Sequence, residues 1–285
     1  MRFPDLICLG AQKSATTWLY DTMRKDDGVF VPPIKEVHYF SQLYNADARK
    51  YGPRHRRQQC SAIIDYINGL PSQSDQDQVL LTQLAHLNRS DVDDEWYGSI
   101  FALAKNDQVC VDICPSYMNM PQAAVQHVLR LNPSVRLLVL VRDPIERCWS
   151  QIRMHVSRGT LERNFDDLVD GTASCWSFLF YTDYAGSLVR WERYSAPGQL
   201  MTLLHDDVLT DPYRSLSRIY DFVGLRKPRR DPELGKEIFA GEKIEMPKNL
   251  RRKLLTELAP QYDFLMGIYP EAARSWLDRH HELLG

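Results

Sequence analysis

No stretch of the 285-residue chain stays apolar for anything near the ~20 residues that cross a bilayer, so no membrane span is expected. Met1-Arg2-Phe3-Pro4-Asp5 lacks the basic-then-apolar form of a signal peptide, and the expected setting is cytoplasmic. A net charge of −2 provides no basic excess, which argues against a general nucleic-acid binder. Cys8, Cys60, Cys110, Cys114, Cys148 and Cys175 show no pairing pattern, and Cys110-x3-Cys114 lacks the further ligands of a zinc site. They read as reduced, mostly packing residues, and no metal is required. No repeat or second domain is visible, so residues 1–285 are expected to form one domain. Its content, 44% apolar and 25% charged, is that of a soluble globular protein.

What is present begins at Asp5. Leu6 to Leu9 is a short apolar run of buried-strand length, which Gly10 ends. Ser14, Thr16 and Thr17 follow, and then Trp18, Leu19 and Met23 fall at helical spacing. A strand, a tight turn and a helix start make an anion site, because the first N–H groups of a helix have no internal partner. Lys13 adds a full charge. The plain alternative is a strand-to-helix turn with a Ser/Thr cap, which needs neither a lysine nor three hydroxyls. The chain lacks the Gly-x4-Gly-Lys-Ser/Thr of nucleoside-triphosphate loops, since Lys13 is only three residues after Gly10.

The run Gly10-Ala-Gln-Lys-Ser-Ala-Thr-Thr-Trp-Leu19 resembles the 5′-phosphosulfate loop of sulfotransferases that use 3′-phosphoadenosine 5′-phosphosulfate (PAPS). The usual family form is Lys-x-Gly-Thr-Thr. Ala15 stands in place of that glycine, so the backbone there must tolerate a Cβ. The resemblance implies that Lys13, Ser14, Ala15, Thr16 and Thr17 hold the donor. Trp18 is either an adenine-stacking residue, as in relatives with Thr-Thr-Trp, or a core tryptophan.

Lys35-Glu36-Val37-His38-Tyr39-Phe40 alternates as an extended segment would, with Glu36, His38 and Phe40 on one side and Lys35, Val37 and Tyr39 on the other. A carboxylate beside an imidazole suits proton transfer from a hydroxyl. An edge strand with ordinary polar residues fits equally. The segment is similar to the Lys-Glu-x-His-x-Phe element of heparan-sulfate-type sulfotransferases. That similarity implies Glu36 as catalytic base, with His38 supporting or replacing it.

Further strands are expected at residues 28–31, 108–113, 135–141 and 200–204. Val135 to Val141 is a near-continuous apolar run of the kind found inside parallel sheets. Arg142 then falls at a strand's carboxyl end, where open α/β sheets bind ligands. Ser150 lies two turns into the next helix. By themselves these residues read as Arg142 paired to Asp143 or another carboxylate, and Ser150 as a plain helix residue. Through the resemblance they match the family's 3′-phosphate site, where an arginine fork can donate two parallel bonds.

Residues 41–107 are expected to place helices over the acceptor side. The basic run Arg49 to Arg57 reads as a solvated face, with an anionic acceptor as the alternative. Pro71 to Gln78 reads as a mobile loop, and residues 90–95 as the cap of a helix reaching Ala104. Asp112, Ser116 and Tyr117 are acceptor-side candidates or simply a polar turn. Leu188 and Trp191 are packing residues, Gly224 a helix C-cap. Lys243 is a possible counterpart of the family's late basic loop, and the helices from Asn249 are structural.

The strand–helix alternation implies an α/β fold with a central parallel sheet flanked by helices, which the resemblance specifies as the P-loop-like sulfotransferase fold. The implied function is transfer of a sulfuryl group from PAPS to a hydroxyl or amine of a carbohydrate or small-molecule acceptor, leaving adenosine 3′,5′-bisphosphate (PAP). The alternatives are a P-loop nucleotide kinase and a non-catalytic nucleotide-binding protein.

Overall fold

A computed structural model describes residues 1–46, 48–170, 176–228, 231–235 and 244–285. Cys175 and Lys243, named above, lie outside the described residues. The elements run β1 (Leu6–Gly10), α1 (Thr16–Met23), β2 (Val29–Phe30), α2 (Tyr39–Tyr44), α3 (Ala48–Asn68), α4 (Asp75–Leu87), α5 (Asp94–Phe101), β3 (Val109–Ile113), α6 (Gln122–Leu131), β4 (Arg136–Val141) and α7 (Pro144–Ser157). Then come α8 (Asp166–Asp170), α9 (Trp176–Phe180), α10 (Tyr184–Tyr194), β5 (Leu200–Leu204), α11 (His205–Thr210), α12 (Pro212–Val223), α13 (Lys248–Ile268) and α14 (Pro270–Glu282). No described helix is long and apolar enough to cross a membrane.

The strands form one five-stranded sheet in the order β2-β3-β1-β4-β5, and every pairing is parallel. Both faces are covered, which is why the strands read as unbroken apolar runs. Leu137, Val139 and Val141 pack with Ile7 and Leu9 on one face. Leu138 and Leu140 pack with Leu6 and Cys8 on the other. Each buried side chain of this size contributes roughly 1.5–3 kcal/mol.

From β1 the chain runs to the edge strand β2, returns through β3 beside β1, and then crosses to β4. The strand order therefore reverses between β1 and β4, and ligands of open α/β sheets bind outside such a switch point. The turns that leave β1 and β4 face each other there, and Ala11 N–H extends the pairing to the Leu140 carbonyl at 3.0 Å. Gly10 is required: its φ is +152°, and a Cβ would sit 3.0 Å from the Pro115 carbonyl oxygen and 3.1 Å from Met118 Cβ.

Three expectations are corrected. Residues 75–78 belong to α4 rather than to a loop, because Ser74 and Asp77 form a reciprocal capping box. The basic run lies on α3, but Arg56 is fully buried. It bonds the carbonyls of Val37, Leu87 and Arg89 and the Gln42 amide oxygen, pinning α3 to the segment before α2. Residues 35–38 are not extended: Glu36 and His38 have φ of 66° and 57°, and α2 begins at Tyr39.

Candidate active site

Four described non-glycine residues adopt left-handed φ: Lys13, Ala15, Glu36 and His38. That conformation costs roughly 1–2 kcal/mol per residue for a side chain with a Cβ. All four lie in two loops, the turn after β1 and the segment before α2. Ala15, at the position where glycine is usual, has φ 65° and serves as the N-cap of α1 without a side-chain capping bond.

The Lys13 ammonium makes no hydrogen bond or ion pair with any described group. Burial lowers its pKa to about 8, and the charges of Arg142, Arg158, Arg153 and Lys35 push in the same direction. The surroundings are thus cationic. Arg142 donates through Nη1 to the Lys13 carbonyl at 2.7 Å, and its backbone N–H is held by the Tyr184 hydroxyl at 3.0 Å. Its remaining guanidinium donors have no described partner.

Asp143 does not pair with Arg142. Its Oδ1 accepts from the Tyr262 hydroxyl at 2.6 Å and from the backbone N–H of Ile145, capping α7. Its Oδ2 accepts from Arg279 at 2.7 Å and from His280 Nε2 at 2.8 Å. Ser150 lies on α7, two turns beyond Arg142, without a described partner. Ser14 is fully buried and Thr16 nearly so, whereas Thr17 is half-buried.

Glu36 and His38 are brought together, though not by strand alternation. His38 Nε2 lies 3.3 Å from Glu36 Oε2, while Lys35, expected on the opposite side, reaches Glu36 Oε1 at 2.5 Å. Burial raises the Glu36 pKa, but Lys35 and His38 outweigh it and hold the carboxyl well below the usual range. Burial lowers the His38 pKa; Cys114 and Glu36 reverse this and raise it. His38 Nδ1 faces Ser41 Oγ at 3.0 Å, Ser116 Oγ at 3.2 Å and Cys114 Sγ at 3.6 Å. Ser116 therefore belongs to the His38 pocket. Asp112 is buried and bonded by Tyr97 at 2.8 Å, and burial pushes its carboxyl up to about 6.

Glu36, His38 and His55 have ligand atoms within 4.8 Å of one another, the donors a metal ion would find. Lys35 against Glu36, with further cations around Lys13, makes the surroundings more favourable to an anion.

The Sulfotransferase family profile matches residues 4–229. The chain belongs to this family. The human heparan sulfate glucosamine 3-O-sulfotransferases 3B1 and 6 are 26% identical over 138 residues and 25% identical over 137. Each match covers 46% of this chain but only 35% and 40% of the relative's own length. A sulfotransferase from Alicyclobacillus acidocaldarius superposes with a TM-score of 0.67 at 16% identity, over 97% of this chain and 99% of that one. The sulfotransferase domain of the curacin biosynthetic pathway gives 0.53 at 17% identity, over 82% and 77%. At such identities these likenesses show the fold, and it is the one expected.

Some of the site was not visible in the family's sequence pattern. Trp18 presents no open face: it is 7% exposed, packed among core residues, and its indole N–H is committed to the Leu234 carbonyl at 2.9 Å. Arg153 and Arg158 bear on Lys13 from α7 and its end, but Arg147 on the same helix is buried against Thr182, Gln151 and Phe178. Only the helix's rotation distinguishes them. Tyr51 and His55, one turn apart on α3, stack at 5.6 Å and meet the His38 ring edge-on at 5.3 and 5.0 Å. Gly52 permits this approach, since a Cβ there would lie 3.2 Å from His38 Cβ.

Proposed function

We propose that this chain transfers the sulfuryl group of PAPS in-line to a hydroxyl, or an amine, of a carbohydrate or small-molecule acceptor. The observation that carries the reading is the cluster of cationic groups at the strand switch point. The Lys13 ammonium and the remaining donors of Arg142, which have no hydrogen-bond partner among the described residues, lie on neighbouring turns joined by a hydrogen bond. Such a site fits a ligand with a phosphate at each end.

In this reading Lys13 and the N–H groups of residues 14–17 stabilise the charge that grows on the leaving phosphate, electrostatic stabilisation placed where the charge develops. Arg142 and Ser150 hold the 3′-phosphate and so select PAPS over ATP. Glu36 removes the acceptor proton. In the resting site Lys35 and His38 hold its basicity down. A bound sulfonate offers Lys35 a second anion, and loosening its grip on Glu36 raises the carboxylate's basicity when donor is present.

The acceptor enters beside Tyr51, which is 50% exposed and forms with His55 a ring-sized wall next to Glu36. The relatives' names cover both glucosamine hydroxyls and a small-molecule pathway.

Thermal-shift titration provides the test, because a ligand that binds only the folded chain raises the melting temperature. PAP should raise it without magnesium, and ATP should raise it far less. The reverse order would favour a nucleotide kinase, against which the lysine spacing already counts. Labelled PAPS, incubated with candidate carbohydrates and metabolite fractions, then identifies the acceptor by its labelled product.

A further inference from the structure

The family match ends at residue 229, but the turn that carries Arg142 is completed by a helix well beyond it. Asp143 immediately follows Arg142 and is 1% exposed. A buried carboxylate beside a phosphate-binding arginine is a competitor for it: left without other partners, it would pair with the guanidinium or cancel part of its field. The described structure shows no such pair: the Asp143 charge is felt at Arg142, but its oxygens bond elsewhere. Arg279 and His280 of α14 both bond Asp143 Oδ2, and Arg251 Nη1 in turn contacts His280 Nδ1 at 2.6 Å. With Nδ1 accepting from Arg251, His280 donates through Nε2, so its orientation is fixed from both sides. Tyr262 of α13 takes the other carboxylate oxygen. Arg279 also lies within electrostatic reach of Glu146, the other acid bearing on Arg142.

We infer that Arg279 and His280 are specificity-determining positioning residues: by occupying Asp143 they leave the Arg142 guanidinium available to a 3′-phosphate. This rests on the assignment of Arg142 to that phosphate. The role concerns discrimination rather than folding. The end of α14 has another anchor in Trp276, whose indole N–H bonds Asp206 Oδ2 at 2.7 Å and does not touch Asp143.

The test compares the affinities of the full chain for PAP and for adenosine 5′-phosphate, which lacks the 3′-phosphate, with the melting temperature of each variant measured alongside. Arg279 is half-exposed, so Arg279→Gln should fold. Its PAP-to-AMP affinity ratio should fall by roughly tenfold, the scale of one charge-assisted bond, with AMP affinity unchanged. Arg279→Lys should restore most of the ratio. Trp276→Phe, which loosens the same helix, should lower the melting temperature and leave the ratio alone. An unchanged ratio in Arg279→Gln, alongside a collapsed ratio in Arg142→Ala, overturns the inference and spares the assignment of Arg142. An unchanged ratio in Arg142→Ala overturns both.

Discussion

The guanidinium of Arg142 donates to the backbone carbonyl of Lys13, so the two cations at the switch point are tied through main chain and cannot separate freely. Repulsion between them is built into the resting fold and is relieved by an anion lying across both.

Lys13→Ala should therefore slow sulfuryl transfer by ~10²–10³, or about 2.7–4 kcal/mol of barrier, the size of a lost oxyanion donor. Steady-state turnover with saturating PAPS checks this. Turnover equal to the parent's removes Lys13 from the chemistry.

The lowered Lys13 pKa has a signature in stability. Between about pH 8 and the ordinary value near 10.5, the folded chain has shed this proton and the unfolded chain has not, so stability rises with pH across that window. Lys13→Met should thus gain most over the parent below pH 8 and lose that advantage progressively toward 10.5. Urea unfolding of ligand-free protein at several pH values measures the difference. A gap that is flat with pH would mean that Lys13 is not electrostatically strained.

Glu36→Gln should fold normally and lose activity by ~10²–10⁴, the range of a positioned general base. His38→Ala should retain more activity, since His38 orients the carboxylate through its 3.3 Å contact. Single-turnover rates of the two variants decide between them: an active Glu36→Gln beside an inactive His38→Ala transfers the base to His38.

Ala15→Gly should stabilise the chain by about 0.5–1 kcal/mol, the relief of a left-handed Cβ partly offset by glycine's larger unfolded-state entropy. Equilibrium denaturation measures it. A destabilised variant would show that the Ala15 methyl contributes packing worth more than the strain.

Legibility in the sequence followed the range of the interactions. β4 was expected at residues 135–141 and lies at Arg136–Val141, because a buried central parallel strand is written as an apolar run. The turn around Lys13 was readable for a similar reason, since strand end, lysine, hydroxyls and helix start are contiguous. Glu36 and His38 were expected side by side and are, but the alternation that suggested it belongs to a strand the chain does not form. Two left-handed residues coil the segment and bring Lys35 to the same carboxylate. Arg56 was hidden in a charge run because its acceptors, at residues 37, 42, 87 and 89, come together only in the tertiary fold. Asp143 was weighed only against its neighbour Arg142, while the side chains that bond it lie more than a hundred residues away.

Helices α2 to α5 all fall between β2 and β3 and contribute no strand to the sheet. Chimeras that swap residues in this insertion while keeping the carbonyl contacts of Arg56, the Tyr97–Asp112 bond and the core rings Tyr39, Phe40 and Phe101 should therefore change acceptor range and leave the donor site in place.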